Sequence, residues 1–228
     1  MKRITKIRQP RSLVEHMAKT HASYENLPGE AKDALRNNLI EEQGYLCCYC
    51  MKRLSEPSEK HMKVEHFMDQ DHYPAQQLVY SNLFGACLGN EGKPGRLQTC
   101  DTKKGNKTLT INPTSLAPDC ESLFKYNAEG EISSKDNNEE INKAINNVLN
   151  LNEDNLKDCR REVFLAVQEK YEIEGKRLGS GPLKLNYLEK EMAWWLSKSD
   201  GQYRPFCMVA KYVLDKKRKQ IASQRAGK

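Results

Sequence analysis

Apolar residues in the first part of the chain recur with the spacing of an α-helix. Four of them follow Pro28 at this spacing: Ala31, Leu35, Leu39 and Ile40. Because proline is well tolerated in the first turn of a helix, we predict a helix from Pro28 to about Gly44. The preceding residues 1–25 contain few apolar positions, so we expect an extended arm there and a short helix near Leu13 to Lys19.

After Pro113 the pattern is mainly helical. Two apolar stripes recur at helical spacing: Ile141, Ile145 and Val148, followed by Leu156, Cys159, Val163, Phe164, Val167 and Tyr171. Further helices are predicted near Leu183 to Ser197 and after Pro205, with a loop between Gly175 and Pro182. Ahead of them, Phe124 to Ile132 is expected to form a β-hairpin. These patterns predict a mainly α-helical C-terminal domain.

The segment between these helical parts has no long apolar period. A β-hairpin is predicted from Tyr45 to about Lys63, with Cys47 to Cys50 in its turn, and Val64 to Phe67 is predicted to be a short strand. The fold class is therefore expected to be α+β. We expect three parts along the chain: an N-terminal arm and helices at 1–44, a small module at 45–112 and the helical domain at 113–228.

The net charge of +6 is unevenly distributed. Basic residues outnumber acidic ones six to one between Lys2 and Lys19, five to one between Lys93 and Lys107, and seven to one between Lys211 and Lys228. Acids outnumber bases twelve to six between Glu129 and Glu174. This segregation favours a nucleic-acid partner that contacts the basic parts. For the C-terminal run alone, a solvated helix face is the favoured interpretation.

Hydropathy and cysteine usage bear on the compartment. No apolar run reaches the roughly 20 residues that span a bilayer, and the mean hydropathy is -0.82, so no membrane association is expected. The chain opens with charged residues and not with a secretory leader, which favours the cytoplasm. In that reducing compartment the eight cysteines are expected to be thiols or metal ligands.

Four cysteines have a spacing typical of a structural zinc site: Cys47, Cys50, Cys87 and Cys100. The first two can place thiolates on one Zn²⁺ from a tight turn, and the second two can complete a tetrahedral set. Zinc binding would supply folding free energy to a glycine-rich segment. Cys120 is an alternative to Cys87, and buried or redox-active thiols are an alternative to a metal site. The other cysteines are not assigned to it: Cys48, Cys159 and Cys207.

Glu65 and His66 lie between the two cysteine pairs and are candidates for catalysis. A neutral histidine can take the proton from a water that attacks phosphorus, because its unperturbed pKa is about 6.5. A carboxylate can hold Mg²⁺, and Asp101, next to Cys100, can supply a second one. This combination predicts metal-dependent hydrolysis of a phosphodiester.

In chain order the motifs are Cys47-x-x-Cys50, Val64-Glu65-His66-Phe67, Asn82-Leu83, Cys87 and Cys100-Asp101-x-x-Lys104-Gly105. This order resembles the zinc-braced branch of the HNH endonucleases, which have a ββα-metal motif. The resemblance implies that His66 is the general base and that Asn82 positions the motif and its histidine. It also implies that Glu65 and Asp101 hold Mg²⁺, or Mn²⁺, and that the four cysteines bind zinc. Asp101 stands where the family often has Asn or His.

Three further segments are similar to the PtuB family, the HNH subunits of Septu anti-phage systems that also accompany some retrons. They are the opening with Pro10 and Leu13, the approach from Glu42 to Cys50 and the late segment from Tyr203 to Cys207. The resemblance implies a partner, a PtuA-like ABC/SMC-type ATPase that binds and restrains the nuclease, and in retrons a reverse transcriptase with its DNA. The order of the motifs and the basic flanks together favour double-stranded DNA as the substrate. Trp194 and Trp195 are expected to anchor the ATPase or to fill the core.

Five basic residues in and after the second cysteine loop are predicted to contact backbone phosphate: Lys93, Arg96, Lys103, Lys104 and Lys107. Two alternatives stay open. The first is an RNA or tRNA nuclease of the retron type, because a hydrolytic site does not itself exclude a 2′-hydroxyl. The second is a non-catalytic zinc-finger module, whose nucleic-acid binding would be salt-sensitive and indifferent to changes at Glu65, His66 and Asp101.

Overall fold

The N-terminal helices form where the apolar spacing predicts them. The computed structural model describes residues 1–179 and 181–226, with side chains up to Gln224. Helix α1 spans Arg11–Met17 and α2 spans Gly29–Glu42, and each begins directly after a proline. The apolar stripe of α2 is buried, as expected of a helix that packs one face against the core.

The middle segment contains a two-stranded antiparallel sheet followed by a short helix. Strand β1 spans Lys63–His66, β2 spans Leu83–Ala86, and α3 spans Cys100–Lys104. In the register of the sheet, Glu65 lies opposite Phe84 and His66 opposite Leu83. The hairpin predicted from Tyr45 to Lys63 is not regular: a bridge pairs Leu46 with Arg53, and turns and bends occupy most of the remaining residues.

The C-terminal half contains the predicted hairpin and then helices. Strand β3, Phe124–Tyr126, pairs with β4, Ile132–Ser134. Helix α4, Glu139–Lys143, continues into a π-helical turn at Ala144–Val148. Three longer helices follow: α5 at Asp154–Leu178, α6 at Gly181–Leu196 and α7 at Cys207–Ala226. Mixed helix and sheet is the fold class that the sequence predicts.

The loop predicted from Gly175 to Pro182 is mostly helical. Helix α5 continues through Gly175, which is buried, and ends before Gly179, whose φ of +67° suits glycine. Pro182 lies in the first turn of α6, where its missing N–H is not needed. Ser180 of the predicted loop lies outside the described residues, as do residues 227 and 228 of the basic C-terminal run.

The N-terminal arm lies against the middle segment through a buried ion pair. Lys6 Nζ lies 2.6 Å from Glu42 Oε1 and also donates to the carbonyl of Leu83 at the start of β2. Tyr80 Oη donates to the other oxygen of Glu42 at 2.6 Å. The arm therefore holds α2 and β2 together.

The C-terminal half holds the cysteine turn from the other side. Tyr203 N donates to Gly44 O, and Phe206 N donates to Met51 O. Gly44 has a φ of +58°, and an added Cβ would lie 2.4 Å from the Tyr203 ring, so only glycine fits there. Buried apolar residues from all parts of the chain form one cluster. The domain boundaries at 44 and 112 stay predictions. Among the described residues, no helix is both long and apolar enough to cross a membrane.

Candidate active site

Four cysteine sulfurs meet at one point beside the sheet. The Sγ atoms of Cys47, Cys50, Cys87 and Cys100 all lie within 4.8 Å of one another. The Cys47–Cys100 and Cys50–Cys87 sulfur pairs are 3.9 and 3.8 Å apart. A tetrahedral zinc ion with bonds of about 2.3 Å requires sulfurs about 3.8 Å apart, so the cluster fits zinc. Cys120 lies elsewhere, with its thiol near Pro113 O, and Cys87 is the fourth member.

Backbone hydrogen bonds bring Cys87 and Cys100 together although they are widely spaced in the sequence. Gly89 O accepts from Thr99 N at 2.9 Å, and an added Cβ on Gly89 would lie 2.1 Å from Thr99 O. Cys100 N donates to Leu149 O at 2.9 Å, so the helical half also fixes this ligand. The loop between the two cysteines therefore returns to its starting point and brings their thiols together.

The remaining cysteines lie outside the cluster. Cys48 is buried, and burial raises its pKa well above the ordinary value of a thiol. Cys207 is buried in the core at the start of α7, and Cys159 is half-buried on α5. Small apolar packing residues are what the sequence predicts for the last two.

Glu65 is a buried carboxylate with one bound and one unbound oxygen. Its Oε1 accepts from Tyr49 Oη at 2.6 Å and lies 2.9 Å from Lys104 Nζ. Its Oε2 is buried without a hydrogen-bond partner among the described residues. Burial, followed by the adjacent Asp101 carboxyl, raises the pKa of Glu65 well above its ordinary value, while Lys104 and Tyr49 act in the opposite direction. A cation between Glu65 and Asp101 would remove this repulsion, so the pair fits a divalent ion.

Asp101 follows the cysteine ligand Cys100 on α3 and is half-exposed. Its Oδ2 lies 3.9 Å from Lys63 Nζ, which also bonds Glu91 at 2.7 Å. The ammonium of Lys63 is therefore shared between Glu91 and Asp101. Asp101, one of the two carboxylates, directly follows Cys100, one of the four clustered cysteines.

His66 is the last residue of β1 and is held in one tautomer. Its Nε2 lies 3.0 Å from the carbonyl of Gln77, which can only accept, so Nε2 carries the hydrogen and Nδ1 the lone pair. Nδ1 lies 3.3 Å from the Gln70 amide, and the Tyr24 ring packs edge-on at 4.6 Å between centroids. Burial lowers the pKa of His66 to about 4, so the ring is neutral at neutral pH.

Asn82 fastens the loop that follows His66. Its Oδ1 accepts from Met68 N at 2.7 Å, and its Nδ2 donates to Met68 O and Gln76 O at 2.9 and 3.1 Å. Gln77, which fixes the histidine tautomer, directly follows this loop. Asn82 therefore fixes the loop that lies between His66 and Gln77.

Comparisons with known proteins agree with this geometry. No model of a known protein family matches the chain. An HNH endonuclease assigned to retron Vc95 of Vibrio cholerae is 31% identical over 177 residues, which cover 71% of this chain and 81% of the relative. This chain belongs to the HNH endonuclease family.

Two further relatives match shorter parts. Septu protein PtuB of Bacillus thuringiensis is 37% identical over 101 residues, which are 44% of this chain and 37% of that protein. An HNH endonuclease assigned to retron Ec83 of Escherichia coli is 32% identical over 120 residues, 46% of each chain. The prediction of an HNH nuclease that resembles PtuB is confirmed.

The predicted phosphate contacts of this HNH nuclease divide into two groups. Lys93, Arg96 and Lys107 are exposed, and Lys103 is half-exposed, with its ammonium 2.7 Å from Gly95 O. Lys104 is only 1% exposed and bonds Glu65 and the carbonyl of His66, so in this structure it cannot meet a phosphate on the surface. Its ammonium faces inward because Glu65 is buried and needs a cation.

Several residues of the HNH site were not found from sequence. They are Tyr49, Lys63, Tyr24, Gln70 and Gln77, each in contact with Glu65, Asp101 or His66. The sequence contains a signal for Tyr49, because this residue lies between Cys47 and Cys50 and the turn that brings these cysteines together sets the direction of its side chain. Lys63 lies on β1 itself, Gln70 and Gln77 lie in the segment between β1 and β2, and Tyr24 comes from the segment between α1 and α2.

Proposed function

We propose that this HNH nuclease is a divalent-metal-dependent enzyme that hydrolyses double-stranded DNA as the effector of an ATPase-controlled anti-phage complex. The observation that supports it most directly is the orphaned Glu65 Oε2 beside Asp101, with His66 on the same strand as Glu65. On this proposal β1, β2 and α3 form the ββα-metal module of the family.

In the proposed reaction, His66 Nδ1 takes a proton from a water that attacks phosphorus. Gln77 holds Nε2–H, so the imidazole keeps the tautomer in which Nδ1 is the base. Glu65 and Asp101 would hold Mg²⁺, and this ion supplies charge stabilisation of the phosphate and of the leaving oxygen. Asn82 keeps the loop after β1 in place, so the ring does not turn away.

Positive groups near the carboxylates favour a phosphate backbone as the substrate. Lys63 Nζ lies 3.9 Å from Asp101 Oδ2 and is 26% exposed, but it is already paired with Glu91 at 2.7 Å. Lys93, Arg96 and Lys107 add exposed charge on the neighbouring loop, where they would position a duplex without reading its sequence. Lys104 is not included, because its charge is used by Glu65.

The partner proposal rests on the relatives and on one exposed aromatic residue. Two relatives are retron proteins and one is Septu PtuB, so we propose that this chain works with an ABC/SMC-type ATPase. Trp195 packs against the core, whereas Trp194 is 49% exposed and lies under the Arg204 guanidinium at 3.5 Å. Of the two tryptophans, Trp194 is the one available to the ATPase.

The proposal is tested by incubating the purified protein, alone and with its ATPase, with duplex DNA and with structured RNA. We expect cutting of the duplex that requires added Mg²⁺ or Mn²⁺ and is lost in Asp101→Ala, which removes the oxygen ligand. Cutting of RNA alone would replace the DNA proposal with the retron-type RNA nuclease. Tight, salt-sensitive binding that is indifferent to Asp101 and Glu65, with no cutting of any substrate, would support the non-catalytic zinc-finger module.

Replacing Tyr49 by phenylalanine is expected to weaken Mn²⁺ binding by about 10- to 100-fold, because a hydrogen bond that orients a metal-binding carboxylate is removed. Calorimetric titration of Mn²⁺ into the zinc-loaded variant measures this. Tyr80→Phe is the matched control, since it deletes an equally short bond from a tyrosine to a buried carboxylate outside the site. Equal affinities in both variants and wild type would contradict the role of Tyr49.

A further inference from the structure

Strands β3 and β4 and helix α7 border a groove that lies outside all the residues assigned above. It forms a cavity of about 420 Å³. Its floor is apolar and aromatic: Phe124, Tyr126, Met208 and Tyr212. The first three are buried, and Tyr212 is half-exposed. We call this feature the hairpin groove.

The rim of the hairpin groove is basic. Five lysines line it: Lys125, Lys135, Lys211, Lys216 and Lys219. Lys211 is paired with Asp215 at 2.7 Å, and the other lining acid, Glu121, is held by Lys2 at 2.6 Å. Within residues 1–179 and 181–226, the other four lysines make no ion pair with a carboxylate. The groove therefore presents uncompensated positive charge around an aromatic floor.

The groove continues beyond Tyr212. A second depression, of about 490 Å³, shares Lys125, Tyr126, Tyr212 and Lys216 with the first and adds one acid, Glu131. Both are bordered by the pair of Tyr126 and Tyr212, whose rings meet edge-to-face at 5.6 Å between centroids. Tyr126 thus supports the Tyr212 ring from the core. An open channel in two parts suits an extended chain of phosphates better than one compact nucleotide.

We propose that the hairpin groove binds a single strand of nucleic acid. Lys125, Lys216 and Lys219 contact its phosphates, and a base stacks on Tyr212. Lysine-lined grooves with an aromatic platform bind single strands in this way, because every base has a face that can stack and every nucleotide carries a charge. The inference does not depend on the catalytic roles proposed above. An acidic protein surface is the competing occupant. Nucleic acid is favoured because the half-exposed Tyr212 ring lies among lysines, the combination of stacking face and positive charge that a single strand uses.

The test measures binding without cutting. His66→Ala protein, with zinc bound and no Mg²⁺ or Mn²⁺ added, is titrated into a fluorescent single-stranded oligonucleotide of about 16 nucleotides while anisotropy is recorded. The triple variant Lys125→Ala, Lys216→Ala and Lys219→Ala is compared with a triple variant of equal charge. The control set carries Lys143→Ala, Lys176→Ala and Lys190→Ala, three exposed lysines on α4, α5 and α6.

We expect the groove variant to bind the oligonucleotide about tenfold more weakly or worse. The slope of log K against log salt concentration should decrease in magnitude by about 2, because three phosphate contacts are lost. The control variant should stay close to the parent. Tyr212→Ala should weaken binding by about fivefold or more, because stacking is lost, whereas Tyr212→Phe keeps the ring and should bind as the parent does.

Equal losses in the groove and control variants would show a general charge effect and overturn the proposal. The absence of oligonucleotide binding by the parent would also overturn it. So would groove variants that bind the oligonucleotide as the parent does and lose only the binding of an acidic protein captured from a lysate. Circular dichroism establishes that each variant is folded. A chain that binds in the groove but never cuts a substrate would refute the nuclease proposal and leave this one standing.

Discussion

Replacing Cys100 by serine is expected to remove bound zinc and to unfold the segment from Cys47 to Lys104. The Cys100 thiol is fully buried and lies 3.9 Å from Cys47 Sγ, so a lost ligand leaves three thiolates around an incomplete site. Structural zinc contributes about 10–16 kcal/mol of apparent binding free energy. That equals or exceeds the whole stability of a typical domain, about 5–15 kcal/mol.

Zinc content per chain and thermal unfolding followed by circular dichroism measure this effect. Cys159→Ser is the matched control, because Cys159 is half-buried on α5 and lies outside the cluster. We expect the control to keep one zinc ion and nearly the parent melting temperature. A Cys100→Ser protein with full zinc content and an unchanged melting temperature would show that the four sulfurs do not form the metal site.

The four-cysteine cluster could be predicted from sequence because metal ligands must recur at restricted spacings. The Cys47-x-x-Cys50 spacing by itself predicts a tight turn with two metal ligands. The pairing of Cys87 with Cys100 could only be proposed, since it depends on a close backbone contact between Gly89 and Thr99 and on Leu149, which is 49 positions away in the chain. The spacing of the cysteines identifies candidate ligands, and long-range packing determines which of them lie together.

Lys104 shows where sequence reasoning fails. In a run of basic residues it looks like its neighbours Lys103 and Lys107, and charge alone predicts a phosphate contact for all three. The fold turns this one ammonium inward, where Glu65, 39 positions earlier, is buried and needs a cation. A lysine that serves a buried carboxylate cannot be told from a surface lysine until the partner's burial is known.

The structure also connects the four-cysteine cluster to the proposed catalytic groups. Tyr49 lies between the ligands Cys47 and Cys50 and bonds Glu65, while Asp101 directly follows the ligand Cys100. Both carboxylates are thus positioned by residues whose backbone the cluster fixes. Zinc would act on catalysis through position, and the proposed divalent ion would act through charge.

Replacing His66 by alanine is expected to lower the cleavage rate by about 10²- to 10⁴-fold, the usual contribution of a general base. The side chain packs against Tyr24 and hydrogen-bonds Gln77 and Gln70, so its removal affects local contacts but no cysteine ligand. Zinc content and the circular dichroism spectrum should therefore match those of the parent. The rate is measured on duplex DNA with saturating Mg²⁺.

His16→Ala separates catalysis from packing. His16 is also buried and also bonds a backbone carbonyl through Nε2, that of Ser23 at 3.0 Å, but it lies on α1. Both variants should lose some stability, because each leaves a carbonyl without its donor. Only His66→Ala should lower the rate of DNA cleavage. Equal rates in the two variants, each folded and zinc-loaded, would remove His66 as the base and require another proton acceptor near Glu65 and Asp101.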